Sequence, residues 1–321
     1  IGIDMSLFKG NLDVSVDVFH ERRKDILVQR TASVPEYVGF TLPDENLGEI
    51  TSRGYEVLVS YKNKIGDFSY FANGQISFAK NKIEFLDEAI GTPDWKQRTG
   101  HPVDFISGYE SDGIYTSQAQ IDQASDATNN PTYINLTGVI PGDIIYKDLN
   151  GDHEVNDDDI RLFHQSPTPE YNYGFEVGGT WNNRLSLTVF FQGQANAQTS
   201  YKPWGLNQHL DFYEGRFTNS INTPNPTYPG AYRPNTYNSR DSDFWIRDNS
   251  FLRLKNVKIT YNVPTRFLDR LNIAHLEFYV SGSNLLLLYD KVELFDPESD
   301  TGTGWYYPQN REISTGLTIT Y

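Results

Sequence analysis

Ser314-Thr315-Gly316-Leu317-Thr318-Ile319-Thr320-Tyr321 alternates apolar and polar residues up to the last position, with Leu317, Ile319 and Tyr321 on one face of an extended strand. A strand of this kind left unpaired would expose a row of open backbone donors and acceptors. A closed barrel has no such edge. In a bilayer closure is obligatory, because hydrocarbon satisfies no peptide group and only helices or edge-free barrels span it.

The same period-two pattern recurs upstream. Leu12, Val14, Val16 and Val18 interleave with Asp13, Ser15 and Asp17; Tyr55, Val57, Val59 and Tyr61 form a second set; Phe68, Tyr70, Ala72, Gly74, Ile76 and Phe78 a third. Leu185, Leu187, Val189 and Phe191 continue it, followed by Leu276, Phe278 and Val280. Connections alternate short and long. Lys9-Gly10-Asn11, Asn63-Lys64-Ile65-Gly66 and Asn182-Asn183-Arg184 read as tight turns, and 264–272 as a compact one. Long connections fall at about 32–48, 86–167, 202–243 and 290–310.

Short turns on one rim and long loops on the other are the pattern of a transmembrane antiparallel β-barrel in an outer membrane, with the short turns periplasmic and the long loops extracellular. The expected fold is therefore all-β, with about nine strands here. Several of them exceed the ~9–11 residues that cross a bilayer, so they should project above it.

Composition agrees. Aromatic residues make up 14% of the chain, with 21 Tyr and 19 Phe, while mean hydropathy is negative, which suits many short amphipathic strands. The longest aliphatic run, Leu285 to Leu288, falls far short of the ~20 residues of a membrane helix. A net charge of −15 argues against a nucleic-acid partner, and the absence of Cys removes both disulfides and thiolate chemistry. Ile1 opens directly into a strand with no basic n-region, so the sequence reads as part of something longer, with further strands upstream or on another chain.

Several strings carry a family pattern. Pro141-Gly142-Asp143-Ile144-Ile145-Tyr146-Lys147-Asp148-Leu149-Asn150-Gly151-Asp152 and Ser166-Pro167-Thr168-Pro169-Glu170-Tyr171-Asn172-Tyr173-Gly174-Phe175 resemble the C-terminal half of SusC/RagA-type TonB-dependent outer-membrane transporters. So do Phe190-Phe191-Gln192-Gly193, Phe251-Leu252-Arg253-Leu254-Lys255-Asn256-Val257 and Val280-Ser281-Gly282-Ser283-Asn284-Leu285, in the family's order. The resemblance implies that residues 1–321 are the C-terminal portion of a plugged barrel of about 22 strands. It also implies partners: a SusD-like surface lipoprotein as lid, the TonB-ExbB-ExbD complex acting through an N-terminal part that this chain lacks together with the plug, and lipid or lipopolysaccharide around the wall. The implied function is active import of large nutrients, oligosaccharides or oligopeptides. The alternatives are a passive porin or surface glycan-binding barrel, and a soluble secreted β-rich binding protein.

Flat aromatic faces beside amides suit sugar rings and extended peptides alike. In the long loops Trp204, Asn207, Trp245, Trp305 and Tyr306 are the candidate substrate-binding residues. Any one ring can instead pack the loops together or belong to an interfacial girdle, the role expected of Trp181 beside a short turn.

The acidic loop 148–159 places Asp148, Asn150, Asp152 and Asp159 at positions 1, 3, 5 and 12 of a twelve-residue loop, with Glu154 at position 7. That spacing fits a structural Ca²⁺ site, and equally an acidic turn built on Asx hydrogen bonds. Position 6 is His153 rather than Gly, and position 12 is Asp rather than Glu. No cofactor is otherwise required. Catalytic residues are not expected either: the six His are scattered, His20-Glu21-Arg22-Arg23-Lys24 lacks the second His of a zinc-protease motif, and no nucleophile motif occurs.

Overall fold

The structure, a computed structural model, describes residues 1–30, 43–125, 136, 138–202, 210–218, 225–230, 237–269, 272–293, 295–299 and 309–321. Strand formation follows the alternation, and turn residues set the ends. β1 (Gly2–Leu7) and β2 (Leu12–Val28) are joined by a turn in which Phe8, Lys9 and Gly10 all have positive φ. β3 (Glu45–Ile65) and β4 (Phe68–Phe85) meet at Gly66, whose φ of 58° disfavours any side chain. β5 (Ser107–Gly108), β6 (Ser111–Ile114), α1 (Gln118–Ala124), β7 (Ile144–Tyr146) and β8 (Arg161–Leu162) lie within the first very long connection.

β9 (Tyr171–Trp181) and β10 (Leu185–Ala195) are closed by Asn182 and Asn183, both at φ 53°. Asn tolerates that conformation better than most residues, which is why an Asn pair suits a tight hairpin. β11 (Gln198–Ser200), α2 (Leu210–Gly215) and β12 (Ile246–Asp248) belong to the next long connection. β13 (Phe251–Asn262), α3 (Thr265–Leu268), β14 (His275–Asp290) and β15 (Glu312–Thr320) complete the order.

The long strands form one nine-stranded antiparallel sheet in the order β1-β2-β3-β4-β9-β10-β13-β14-β15, each beside the long strand before it. The expected count of about nine strands and the alternation of short and long connections both hold.

Register turns this meander into an amphipathic wall. One row runs Ser6, Asp13, Ser60, Asn73, Glu176, Phe190, Asn256, Ser283 and Glu312 across all nine strands. The adjacent row runs Leu7, Leu12, Tyr61, Ala72, Val177, Val189, Val257, Gly282 and Ile313. Because successive side chains point to opposite faces, polar and apolar rows separate onto the two sides of the sheet. The apolar side is open: Val18, Phe68, Trp181 and Ile259 are each more than 40% exposed.

Aromatic rows edge the apolar band. Near the short turns Phe68, Trp181, Leu185, Tyr261 and Phe278 are cross-strand neighbours, so Trp181 stands where a girdle residue belongs. Toward the long loops Val18, Tyr55, Phe78 and Tyr171 form the matching row, with ring centroids 5.5 Å apart for Tyr55 and Phe78 and 4.8 Å for Phe78 and Tyr171. β9, 11 residues long, reaches from one row to the other, the length a tilted strand needs to cross a bilayer. β2, β3 and β4, with 17, 21 and 18 residues, continue beyond the upper row. His20 and Arg22 there continue the outward face of Val18.

Candidate functional site: the polar face and the packed loops

The polar face of the sheet holds an open hollow of about 660 Å³ between β3, β4, β9, β10 and β13. A hydrogen-bonded ladder lines it: Ser60 Oγ donates to Asn73 Oδ1 at 2.7 Å, and Asn73 Nδ2 donates to Glu176 Oε2 at 3.2 Å. Lys258 lies on the same face, with its Nζ 5.2 Å from the Tyr279 ring centroid. A surface of amides, hydroxyls and two opposite charges is that of a wetted channel wall.

Above the band the loops pack into a single body. Tyr109, Ile144 and Tyr146 from the first long connection meet Tyr201, Phe212, Tyr228 and Trp245 from the second and Val292 and Phe295 from the third in one buried cluster. The small pairings β5 with β8, β6 with β7 and β11 with β12 frame it. Gly108 passes so close to the backbone of Asp241 that an added Cβ would lie 2.5 Å from its carbonyl. Only glycine permits that approach.

Asp143, Asn238, Trp245 and Tyr146 carry the polar pairing inside the cap. Asp143 and Asn238 are fully buried; Asn238 Nδ2 donates to Asp143 Oδ1 at 2.7 Å, and Asn238 Oδ1 accepts from the Ile144 amide at 2.9 Å. Trp245 Nε1 donates to the Asn238 carbonyl at 2.9 Å, and Tyr146 Oη to the Tyr237 carbonyl at 3.0 Å. Burial pushes the Tyr146 phenol well above its ordinary value, so it stays a donor. The Arg240 guanidinium faces the rings of Tyr237 and Tyr109 at 4.7 and 5.0 Å. Glu110 receives Lys147 Nζ at 2.6 Å and pairs with Arg161, and the Lys147 hydrogen bond leads in holding its carboxyl below the usual range.

The third connection is strapped to the wall. Arg253 on β13 is almost wholly buried and pairs with Asp296 at 2.6 Å and Glu298 at 2.9 Å; Lys255 reaches Glu298 at 2.7 Å. At the base of the first connection the rings of His101 and His164 stack with centroids 4.0 Å apart and planes 4° from parallel. Desolvation beside the stacked His101 ring lowers the pKa of His164, itself partly exposed, and the charges of His101, Arg161 and Lys80 add to the shift.

Of the aromatic candidates, Trp245 is fully buried, its ring packed among the loops rather than presented to a solute. Trp204, Asn207, Trp305 and Tyr306 lie outside the described residues. Sequence reasoning missed Arg253 with Asp296 and Glu298, and Asp143 with Asn238, because each pair joins residues far apart in the chain with no periodic signal.

The acidic loop is built on itself. Asp148 accepts from the Gly151 and His153 amides, both at 2.7 Å; Asn150 Oδ1 accepts from the Asp152 amide and Asp152 Oδ1 from the Glu154 amide. Buried Asp159 accepts from Leu149 at 2.7 Å and Asn156 at 2.9 Å. His153 takes the left-handed φ of 71° that position 6 of such a loop requires. Among the described residues no three His, Asp or Glu side chains converge on a point able to hold a metal.

No family model matches the chain. It is similar over its full length to TonB-dependent receptor P3 of Formosa agariphila, 26% identical over 335 positions and 32% of that protein, and to TonB-dependent receptor P26 of the same organism, 27% identical over 353 positions and 34% of it. The chain spans about a third of the length of these curated relatives. Among solved structures it shares the fold of part of the RagAB peptide transporter, with a TM-score of 0.69 at 20% identity, covering 99% of this chain and 34% of that one. The RagAB peptide importer in its open-open state gives 0.68 at 19% identity, with 98% and 33% covered. The chain is thus similar over its full length to proteins named TonB-dependent receptors, and its nine-stranded sheet has the fold of part of the RagAB β-barrel.

Proposed function

We propose that this relative of the TonB-dependent receptors is the C-terminal part of the barrel of a nutrient importer that moves oligosaccharides or oligopeptides across a Gram-negative outer membrane. The observation that carries the reading is the pair of adjacent rows, one apolar and one polar except at Phe190, that run in register across all nine strands beneath a packed extracellular cap. Such a wall offers hydrocarbon one face and water the other. A barrel this wide needs a plug, a TonB-linked pull to move it, and a SusD-like lipoprotein lid over the cap; all three are proposed as partners of the full-length protein.

The cap supports a large solute. Its loops are fixed to one another through a buried core, so their outer surface is preorganised and loses little entropy when a long flexible chain is bound. The test is uptake of fluorescent oligopeptides and oligosaccharides by cells carrying the full-length receptor, with and without TonB. TonB-dependent accumulation of either class supports import and selects the substrate; accumulation that is unchanged without TonB replaces the reading with a passive pore.

A further inference from the structure

The outward face carries no charged residue between its two aromatic rows among the described residues. The first row above the upper belt then runs His20, Arg53 and Lys80, directly opposite one another on β2, β3 and β4. The next outward row adds Arg22 and Lys82, again in register across Thr51. In a chain with net charge −15, Arg22, Arg53, Lys80 and Lys82 bring four cations together at the height where hydrocarbon gives way to headgroups.

The arrangement has an electrostatic cost. Arg53 and Lys80 are direct cross-strand partners, and like charges so placed repel. Nearby acids relieve the repulsion only in part: Glu170 pairs with Lys80 at 2.6 Å, Glu84 with Lys82 at 2.8 Å, and Glu49 with Arg22, while Arg53 has no ion-pair partner among the described residues. Arg53, Lys80 and Lys82 are exposed on the outer surface of the projecting wall. An anion seated at Arg53 would cancel the repulsion, and a planar guanidinium suits phosphate oxygens.

We propose that His20, Arg53 and Lys80 form a binding site for the phosphorylated headgroup of an outer-leaflet lipid, with the acyl chains lying down the apolar band past Val18, Tyr55 and Phe78. The proposal rests on the membrane-barrel reading. Acyl chains and phosphate would engage one continuous surface, so lipid phosphate fixes the height of the barrel while the band supplies the apolar contact.

The test uses the full-length receptor in phosphatidylcholine nanodiscs doped with bisphosphoryl lipid A or with the same lipid stripped of its phosphates, read by native mass spectrometry. Wild type should retain the phosphorylated lipid at least tenfold over the stripped one, R53Q/K80Q should lose that preference, and R53K/K80R and K9Q on the opposite rim should keep it. Equal retention of the two lipids by wild type, or an unchanged preference in R53Q/K80Q, overturns the site. Should the double variant not insert, R53Q alone is read by the same criteria. Heat-modifiable gel migration is recorded on every sample: its absence in wild type would overturn the barrel reading itself, whereas its presence with equal lipid retention overturns only the lipid site.

Discussion

Asn238 donates to Asp143 at 2.7 Å with both side chains fully buried, and this bond ties the second long loop to the first. Asn238→Ala would remove one donor from a buried carboxylate and leave the Ile144 amide without the Asn238 acceptor. Losing partners to buried polar groups costs about 1–3 kcal/mol each. Hydrogen exchange should accelerate in residues 109–146 and 237–245, with the strands beneath unchanged; unaltered exchange in the loops would contradict the role given to this pair.

Arg253 offers a second handle on the same cap. Arg253→Met keeps the stem but leaves Asp296 without its salt-bridge partner, while Glu298 retains Lys255. Breaking a buried pair from one side costs about 3–5 kcal/mol. The segment 291–299 should become the first site of limited proteolysis in the variant, and Asp296→Asn should show a smaller effect because Arg253 then keeps its pairing with Glu298.

The His101–His164 stack makes the base of the first loop sensitive to acid. The folded-state pKa of His164 is depressed, chiefly by desolvation, so below the ordinary value of about 6.5 the unfolded form binds the proton first. Stability is full above about pH 6.5 and falls as the pH drops through that value and then through the lower folded one. Exchange at the Phe163 amide, which donates to Ile106, should quicken over that window, and His164→Gln should flatten the dependence.

The two faces of the wall should respond oppositely to one substitution. Val189 points outward between Val177 and Val257, whereas its neighbour Thr188 lines the polar hollow. Val189→Arg should cost about 2–4 kcal/mol if it lies near mid-bilayer, and Thr188→Arg far less. Urea titration of heat-modifiable migration in the full-length protein compares them; equal shifts would mean that the faces are wrongly assigned.

For the acidic loop, Asp159→Ala removes the acceptor of two backbone amides and should disorder residues 148–159 whether or not Ca²⁺ is present. Addition of a chelator to the wild type should leave the exchange pattern of this loop unchanged; a chelator effect on the order of the Asp159→Ala effect would restore the ion.

The barrel wall was legible because each strand must repeat one rule, apolar out and polar in, and because Asn and Gly mark the turns between. The cap obeys no such rule. Tyr109, Ile144, Trp245 and Phe295 meet from three connections at irregular spacing, so nothing in their local sequence distinguishes a ring that packs from a ring that binds. Trp245 reads as a binding surface in sequence and is core in the fold. Likewise, Asp148 and Asp159 have the spacing of ligands, but spacing does not reveal that their oxygens already accept backbone amides.

The shared core of the cap also governs how such a receptor can diversify. Since three connections each contribute part of one interior, grafting a single loop from a relative would bring half of an interface without its counterpart. New recognition surfaces should therefore be inherited as sets of loops, or arise by change at the outer positions that leave Asp143, Asn238 and Trp245 where they are.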